Sequence, residues 1–270
     1  MKLEIHLILR SNEFQGEKLL DSKLFWQEDF KIRAYEAGVD GRVSIHSICN
    51  YLLEAASNHA THMDVSVEKL FKMNLTWVLS RLHIRMHEFP RWPKSIRIET
   101  WPVHKDSFYA IRDFQLFDEN SREIGVASSS WMMIDFKARK PVALPEFVDA
   151  LQNKEKGRSL NDPFDRMPQV KRMDHEKEFH VRQGDLDVNQ HVYSVHYLSW
   201  GLETIPLDIW KKYRLTDLEI NYRAESVYGD YVLSHNQAEY EESGCSVVHQ
   251  LRRQSDNREL TRMRTSWQAK

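Results

Sequence analysis

The spacing of apolar and polar positions changes several times along the chain, and the changes come in the same order in both halves. From Phe25 to Arg33, FWQEDFKIR alternates apolar and polar residues, the period of a strand with one buried face. After the turn-like VDGR the period lengthens. Ile45, Ile48, Leu52 and Ala55 share one face of a helix that should run from Ile45 to His59. Four strand-like segments follow: WVLSRLHIRMHEF, KSIRIETWPVH, SFYAIRDFQLFD and EIGVASSSWMMIDF. Pro90, Pro93, Pro102, Asp118-Glu119-Asn120 and Gly125 punctuate them.

The order then repeats. EKEFHVRQGDLD reads as a strand, Val195, Ser199 and Leu202 carry a helical stripe, and DLEINYRAES, DYVLSHNQAEY, CSVVHQLRRQ and LTRMRTSWQ read as strands. RLHIRMHEFPRWPKSIRIET slides onto DLEINYRAESVYGDYVLSHN without a gap, setting Leu82 on Leu218 and Ile84 on Ile220. Identities are few, so the repeat lies in pattern and order. Between the halves, KARKPVALPEFVDALQNKEKGRSLNDPFDRMPQV holds four prolines and one short helical stretch near Glu146 to Gln152, a linker composition. The expected division is residues 1–145, a linker over 146–172, and residues 173–270. Each half is an antiparallel sheet with one helix on a face, an α+β layout.

Composition narrows the partners. Hydrophobic residues at 41% and charged residues at 29% fit a folded chain, and a net charge of −2 gives no global pull toward nucleic acid or an anionic membrane. Two basic runs, Arg81 to Arg97 and Arg252 to Arg264, read either as solvated strand faces or as a surface for an acidic partner. The two cysteines, Cys49 and Cys245, are far apart, and neither a disulfide framework nor zinc-ligand spacing exists. The start, MKLEIHLILRSNEF, is too short and charged for a secretory signal, and no run approaches the ~20 apolar residues of a membrane span. A reducing cytoplasm is the expectation.

The chemistry gathers in GDLDVNQHVYSVHYLSW, where Asp185, Asp187, Asn189 and His191 fall on alternate residues before the period becomes helical. Singly, each has an ordinary reading. Asn189 would be the helix N-cap, His191 an interfacial histidine and Asp187 a turn residue. The first half's VDGRVSI supplies the contrast: set on this motif, Asp40 stands for Asp187, Arg42 for Asn189 and Ser44 for His191. Glu225, in NYRAESVYGD, likewise falls on Phe89. One half is therefore specialised and the other degenerate. NHATHMD brings His59, His62 and Asp64 close enough to consider a metal, but at a helix end in the degenerate half. No metal or cofactor is expected.

DLDVNQHVYSVHYLSW followed by INYRAESVYGD resembles the acyl-acyl carrier protein (acyl-ACP) thioesterases of plastids and bacteria. YEAGVDGRVSIHSICNYLLEAASNHA, WVLSRLHIRM, IRIETW and SSSWMMIDFKARKP resemble that family's N-terminal domain, so the likeness runs from about Phe25 to the C-terminus. The resemblance implies two tandem hotdog domains, each a sheet wrapped around a long central helix. The N-terminal one would shape an acyl-chain pocket and the C-terminal one would carry catalysis. Carried over by motif position, the catalytic set is Asp187, Asn189, His191 and Glu225. Many plant members have Cys directly after that Glu, where this chain has Ser226, which speaks against a thiol nucleophile. The start of the sequence also lacks a plastid transit peptide, as a bacterial member would.

The resemblance further implies hydrolysis of a thioester to a fatty acid and a thiol, with an acyl carrier protein as partner. Glu225 would be the general base for water, alone or with His191. Asn189 would hold the carbonyl or the water, and Asp187 would orient its neighbours. Amides after His191, at the helix start, would stabilise an oxyanion, worth about 3 kcal/mol per donor. The acyl tunnel is expected between the first helix and the TWVLSRLHIRM strand. An acyl-CoA thioesterase and a non-catalytic acyl-binding hotdog protein are the alternatives. A tandem pair can satisfy internally the contact single hotdogs make as dimers, so a monomer and a homodimer are both compatible.

Overall fold

A computed structural model describes residues 23–270 of the chain. MKLEIHLILRSNEF and the other residues before Lys23, which belong to the expected first domain, lie outside the described residues. Strand β1 (Trp26–Lys31) alternates burial along its length, as its sequence does. Helix α1 (Ile45–His62) begins at Ser44, whose side chain accepts from the Ser47 amide. That is the N-cap bond a serine offers a helix start. Its stripe of Ile48, Leu52 and Ala55 is fully buried. A short helix α2 (Val67–Phe71) then leads into β2 (Leu75–Met86), β3 (Ser95–Lys105), β4 (Tyr109–Asp118) and β5 (Glu123–Asp135).

The second half holds β7 (His175–His180), helices α3 (Ser194–Leu202) and α4 (Leu207–Lys212), and β8 (Tyr213–Tyr222), β9 (Tyr231–Glu241), β10 (Gly244–Arg253) and β11 (Glu259–Ala269). Besides the short helices α2 and α4, which the apolar pattern did not mark, two further points differ from the sequence reading. A short β6 (Lys140–Val142) pairs with β5, so KARKPV closes a hairpin rather than opening a linker. Helix α3 is also half the length of α1, because the chain breaks before Pro206. Proline supplies no N–H to the helix ladder and disfavours helical backbone in the residue before it.

All strands join one antiparallel sheet in the order β1-β3-β4-β5-β2-β8-β11-β10-β9-β7, with β6 beside β5. The two halves meet where β2 pairs with β8, from Arg81 opposite Asn221 to Arg85 opposite Asp217. His83 faces Glu219 at the centre of this ladder, and these two positions coincide in the gapless match of the halves. A local two-fold axis therefore passes between them. The sheet curls around α1 and α3, and residues of both halves, from Ile48 and Leu52 to Leu198 and Leu202, share one buried cluster. This is the tandem hotdog fold.

The segment between the halves is strapped over the junction. Buried His83 places Nδ1 2.5 Å from Asp162 of that segment and Nε2 3.0 Å from Asp217 of β8. Beside it, Arg81 donates to the carbonyls of Phe164 and Asp165. Burial alone would push the His83 imidazolium down, but the bonds to Asp162 and Asp217 and their charges outweigh it and hold His83 up at about 9. Both carboxyls are held below their ordinary range.

A histidine raised on folding stabilises fully below its unfolded value and loses that contribution as pH climbs through the folded one. The chain should therefore lose on the order of 3 kcal/mol between about pH 6.5 and pH 10. Denaturant midpoints across that range should fall for the native chain, and the fall should be much shallower for His83→Asn.

Candidate active site

The second half's loop is built by its own backbone. Asp187 N–H donates to the His191 carbonyl at 2.8 Å, and Gln190 N–H donates to the Asp187 carbonyl at 3.0 Å. Gln190 sits in the left-handed region, φ 64°. The Asp187 carboxylate finishes the turn by accepting from the amides of Asn189 (2.8 Å) and His191 (3.3 Å). Upstream, buried Asp185 accepts from the backbone and guanidinium of Arg182. Burial would raise the Asp185 carboxyl, but these bonds keep it below the usual range. Asp185 is a support for the loop.

Val192 N–H then donates to the Ser226 carbonyl at 3.0 Å, pinning the loop to the chain just past β8. That clamp brings His191 to Glu225, with Nε2 and Oε2 3.3 Å apart. The first half has the same framework. Gly38 N–H bonds the Arg42 carbonyl, Gly41 carries φ 72°, and Val43 N–H donates to the Pro90 carbonyl. These bonds correct the correspondence drawn from the motif. Gly38 is the counterpart of Asp187, Asp40 of Asn189 and Arg42 of His191. Matching aspartate to aspartate shifted the sequence comparison by two residues. Phe89 does stand in the place of Glu225, and Arg42 donates to its carbonyl at 2.6 Å.

Two further expectations are corrected. Asn189 is not the helix cap: the N-cap of α3 is Tyr193, which makes no side-chain cap bond. The amides directly after His191 are also occupied, Val192 by the Ser226 carbonyl and Tyr193 by the Asp185 carbonyl. They are not free to hold an oxyanion. The Asn189 side chain lines the central cavity and carries two N–H donors.

That cavity encloses about 740 Å³. The apolar face of α1 (Leu53, Ala56, Ala60) and β2 (Trp77, Val78, Leu79) wall it, and Asp187, Asn189, His191 and Glu225 all border it. A second space of about 460 Å³ meets it at His191, Ala224 and Glu225, bordered by Arg139, Arg253, Asp256 and Arg258. Arg253 and Arg258 come from the second basic run of the sequence.

Sequence reasoning missed Arg139, at the turn of the β5–β6 hairpin. Its Nη2 lies 2.7 Å from His191 Nε2 and 2.8 Å from Glu225 Oε2. The signal was present in SSSWMMIDFKARKP, but the neighbouring prolines read as linker. Ser226 is fully buried, with an unpartnered hydroxyl, and it lines neither cavity. His59 is buried with both ring nitrogens engaged, accepting from Arg112 and donating to the Lys23 carbonyl. Burial, then the Arg112 charge, pushes it down to about 3. Asp64 pairs with Lys69. Among the described residues, no helix is long and apolar enough to cross a membrane.

Residues 23–151 match the family described as Acyl-ACP thioesterase N-terminal domain, and residues 169–269 match Acyl-ACP thioesterase C-terminal domain. A chloroplastic palmitoyl-acyl carrier protein thioesterase of Arabidopsis thaliana is 30% identical over 278 residues, covering 94% of this chain and 66% of that protein. A chloroplastic oleoyl-acyl carrier protein thioesterase of the same plant is 27% identical, over 94% of this chain and 79% of that protein. The chain thus spans just under two thirds of the length of the first of these relatives. Among solved structures, a 12:0-ACP thioesterase from Umbellularia californica superposes with a TM-score of 0.82 at 25% identity, covering 92% of this chain and 95% of that one. An acyl-ACP thioesterase from Bacteroides thetaiotaomicron, 24% identical, shares the fold with a TM-score of 0.81, over 92% of this chain and 99% of that one. Over both of its halves, this chain belongs to the acyl-ACP thioesterase family.

Proposed function

We propose that this chain hydrolyses fatty acyl thioesters carried on acyl carrier protein, releasing the free fatty acid in fatty acid biosynthesis. The observation that carries the reading is the meeting of two unlike cavities at His191 and Glu225. A thioester has two arms joined at its carbonyl. The larger, mostly apolar cavity suits the acyl chain, and the smaller one, with three arginines on its border, suits a polar, anionic thiol arm.

Glu225 takes a proton from water as the water oxygen attacks the carbonyl carbon. Asn189 holds the carbonyl oxygen through its side-chain N–H groups, the Val192 and Tyr193 amides being already engaged. Collapse of the tetrahedral intermediate breaks the C–S bond, and the proton passes from Glu225 to the departing thiolate. Asp187 keeps Asn189 and His191 in place through their amides. Burial of Ser226 away from both cavities supports water as the direct nucleophile.

An acidic carrier would dock on the arginine-rich side, where complementary charge speeds encounter. The cytoplasm is the compartment of this reading, supported by two free, buried cysteines, Cys49 and Cys245. An acyl-CoA has the same two arms, so the carrier is decided by comparison. With one acyl chain on each thiol, kcat/KM should favour the carrier protein about tenfold, and added salt should raise its KM. Equal or better turnover of the CoA ester would assign the chain to acyl-CoA instead.

Glu225→Gln should lower kcat by about 10² to 10⁴ with KM little changed, the range removal of a general base produces. Near-normal turnover would remove Glu225 as the base. Asp187→Asn keeps an oxygen for the two loop amides and should retain most activity. Asp187→Ala leaves both amides unpaired and should cost at least about tenfold more in kcat, of the order expected for a misplaced catalytic group. Equal activity of the two variants would show that the turn bonds are not its role.

A further inference from the structure

We infer that Arg139 is a positioning residue of the active site, delivered from the first half to fix the His191–Glu225 pair of the second. The inference rests on the hydrolase reading above. One nitrogen, Nη2, lies 2.7 Å from His191 Nε2 and 2.8 Å from Glu225 Oε2, and those two atoms are 3.3 Å from each other. A guanidinium only donates, so both atoms facing it must accept. Nε2 therefore presents its lone pair, and the ring proton of His191 sits on Nδ1. The contact between Nε2 and Oε2 is then two acceptors held side by side by one cation, rather than a bond between them.

The sheet explains how a residue so distant in sequence arrives there. β5 and β8 flank β2, both antiparallel to it, so their C-terminal ends reach the same edge. β5 ends with Asp135 opposite Leu75, whereas Asn221 near the end of β8 lies opposite Arg81, so the chain from Tyr222 to Glu225 runs on toward the hairpin that carries Arg139. Asp135 builds the hairpin turn, its carboxylate accepting from the amides of Lys137 (2.9 Å) and Ala138 (2.7 Å). Arg139 N–H bonds the Asp135 carbonyl at 2.8 Å. The turn is closed without the guanidinium, whose hydrogen bonds go to the site alone.

Holding Arg139 there has costs. Its backbone lies in the left-handed region, φ 52°, which disfavours a residue with a side chain. Its side chain is 61% exposed, so holding it in one reach costs rotamer entropy. Charge-assisted bonds to both acceptors offset that ordering. The other charged groups around the pair are Asp187 on the loop and Arg253, Asp256 and Arg258 from the β10–β11 turn. Arg253 is held by Asp230 and Asp256. With Nε2 and Oε2 occupied, Glu225 Oε1 is the acceptor left to take the water's proton. His191 then acts as a prop for that carboxylate and not as a second base.

Arg139→Ala should lower kcat about 10²-fold while KM changes less than about threefold, the signature of lost orientation. Arg139→Lys, which keeps a donor and the charge, should recover part of kcat. Free guanidinium ion at a non-denaturing concentration should restore turnover to Arg139→Ala and leave the native chain unaffected. Nitrogen NMR of His191 gives a readout apart from turnover: an unprotonated Nε2 in the native chain, and a mixture of tautomers in Arg139→Ala. A kcat within threefold of native, or a loss that neither Lys nor guanidinium recovers, overturns the inference. Controls separate the two levels. Absence of hydrolysis by the native chain brings down the hydrolase reading itself, and full turnover by Glu225→Gln removes Glu225 as its base. If those controls hold and Arg139→Ala stays active, only the role of Arg139 falls.

Discussion

The antiparallel pairing of β2 with β8 is the contact on which the placement of every other group depends. It turns two sheets into one and sets the local axis between His83 and Glu219. It also puts the hydrophobic faces of α1 and α3 into a common cluster. A strand pair at the centre of a sheet leaves little freedom of register, since a one-residue slip would turn every core side chain outward. Because β2 has β5 on its other side, the same register brings the β5–β6 hairpin and the end of β8 to one edge. The site is assembled across the junction, and neither half contains it alone.

Within that frame, the two halves keep one loop architecture and differ in what it presents. The turn closed between Gly38 and Arg42 recurs between Asp187 and His191, and each loop is clamped by the following valine to the chain beyond a central strand. Gly41 adopts the left-handed conformation at no steric cost, whereas Gln190 adopts it against the preference of a residue with a side chain. The Asp187 carboxylate helps hold Gln190 there by bonding the amides on either side of it. Such local strain, maintained by surrounding bonds, is common where function fixes geometry.

How much of this was legible in the sequence follows from which interactions are local. Period changes in the apolar pattern marked the main strands and α1, because burial of one face is written residue by residue. The gapless match of Leu82 to Leu218 and Ile84 to Ile220 located the very strands that pair at the junction. Asp187, Asn189, His191 and Glu225 stood out together as a specialised motif, and they border one cavity. The loop correspondence slipped by two because shared aspartates are visible in sequence while backbone bonds are not. Arg139 was hidden for a different reason: its partners lie far along the chain, and only strand order brings them near. The break after α3 was written plainly at Pro206, whereas the family resemblance implied a long central helix in each half.

The same comparison explains why a pair of equivalent loops yields one site. In the first half, Arg42 occupies the place of His191 and donates to the backbone carbonyl of Phe89, whose side chain replaces the carboxylate of Glu225. A cation held by a carbonyl beside an aromatic ring offers no acceptor to activate water. In the second half a cation is again present, but it is Arg139, arriving from outside the loop, and it leaves an imidazole in the loop and a carboxylate on the chain past β8. With the positive charge moved from the loop to a neighbouring hairpin, the loop position of Arg42 is taken by the acceptor-bearing ring of His191. The first half, relieved of that task, can line the cavity through α1 and β2 with Leu53, Ala56, Trp77 and Leu79. The asymmetry between the halves is thus a division between a cavity wall and a cluster of polar groups, joined by one arginine.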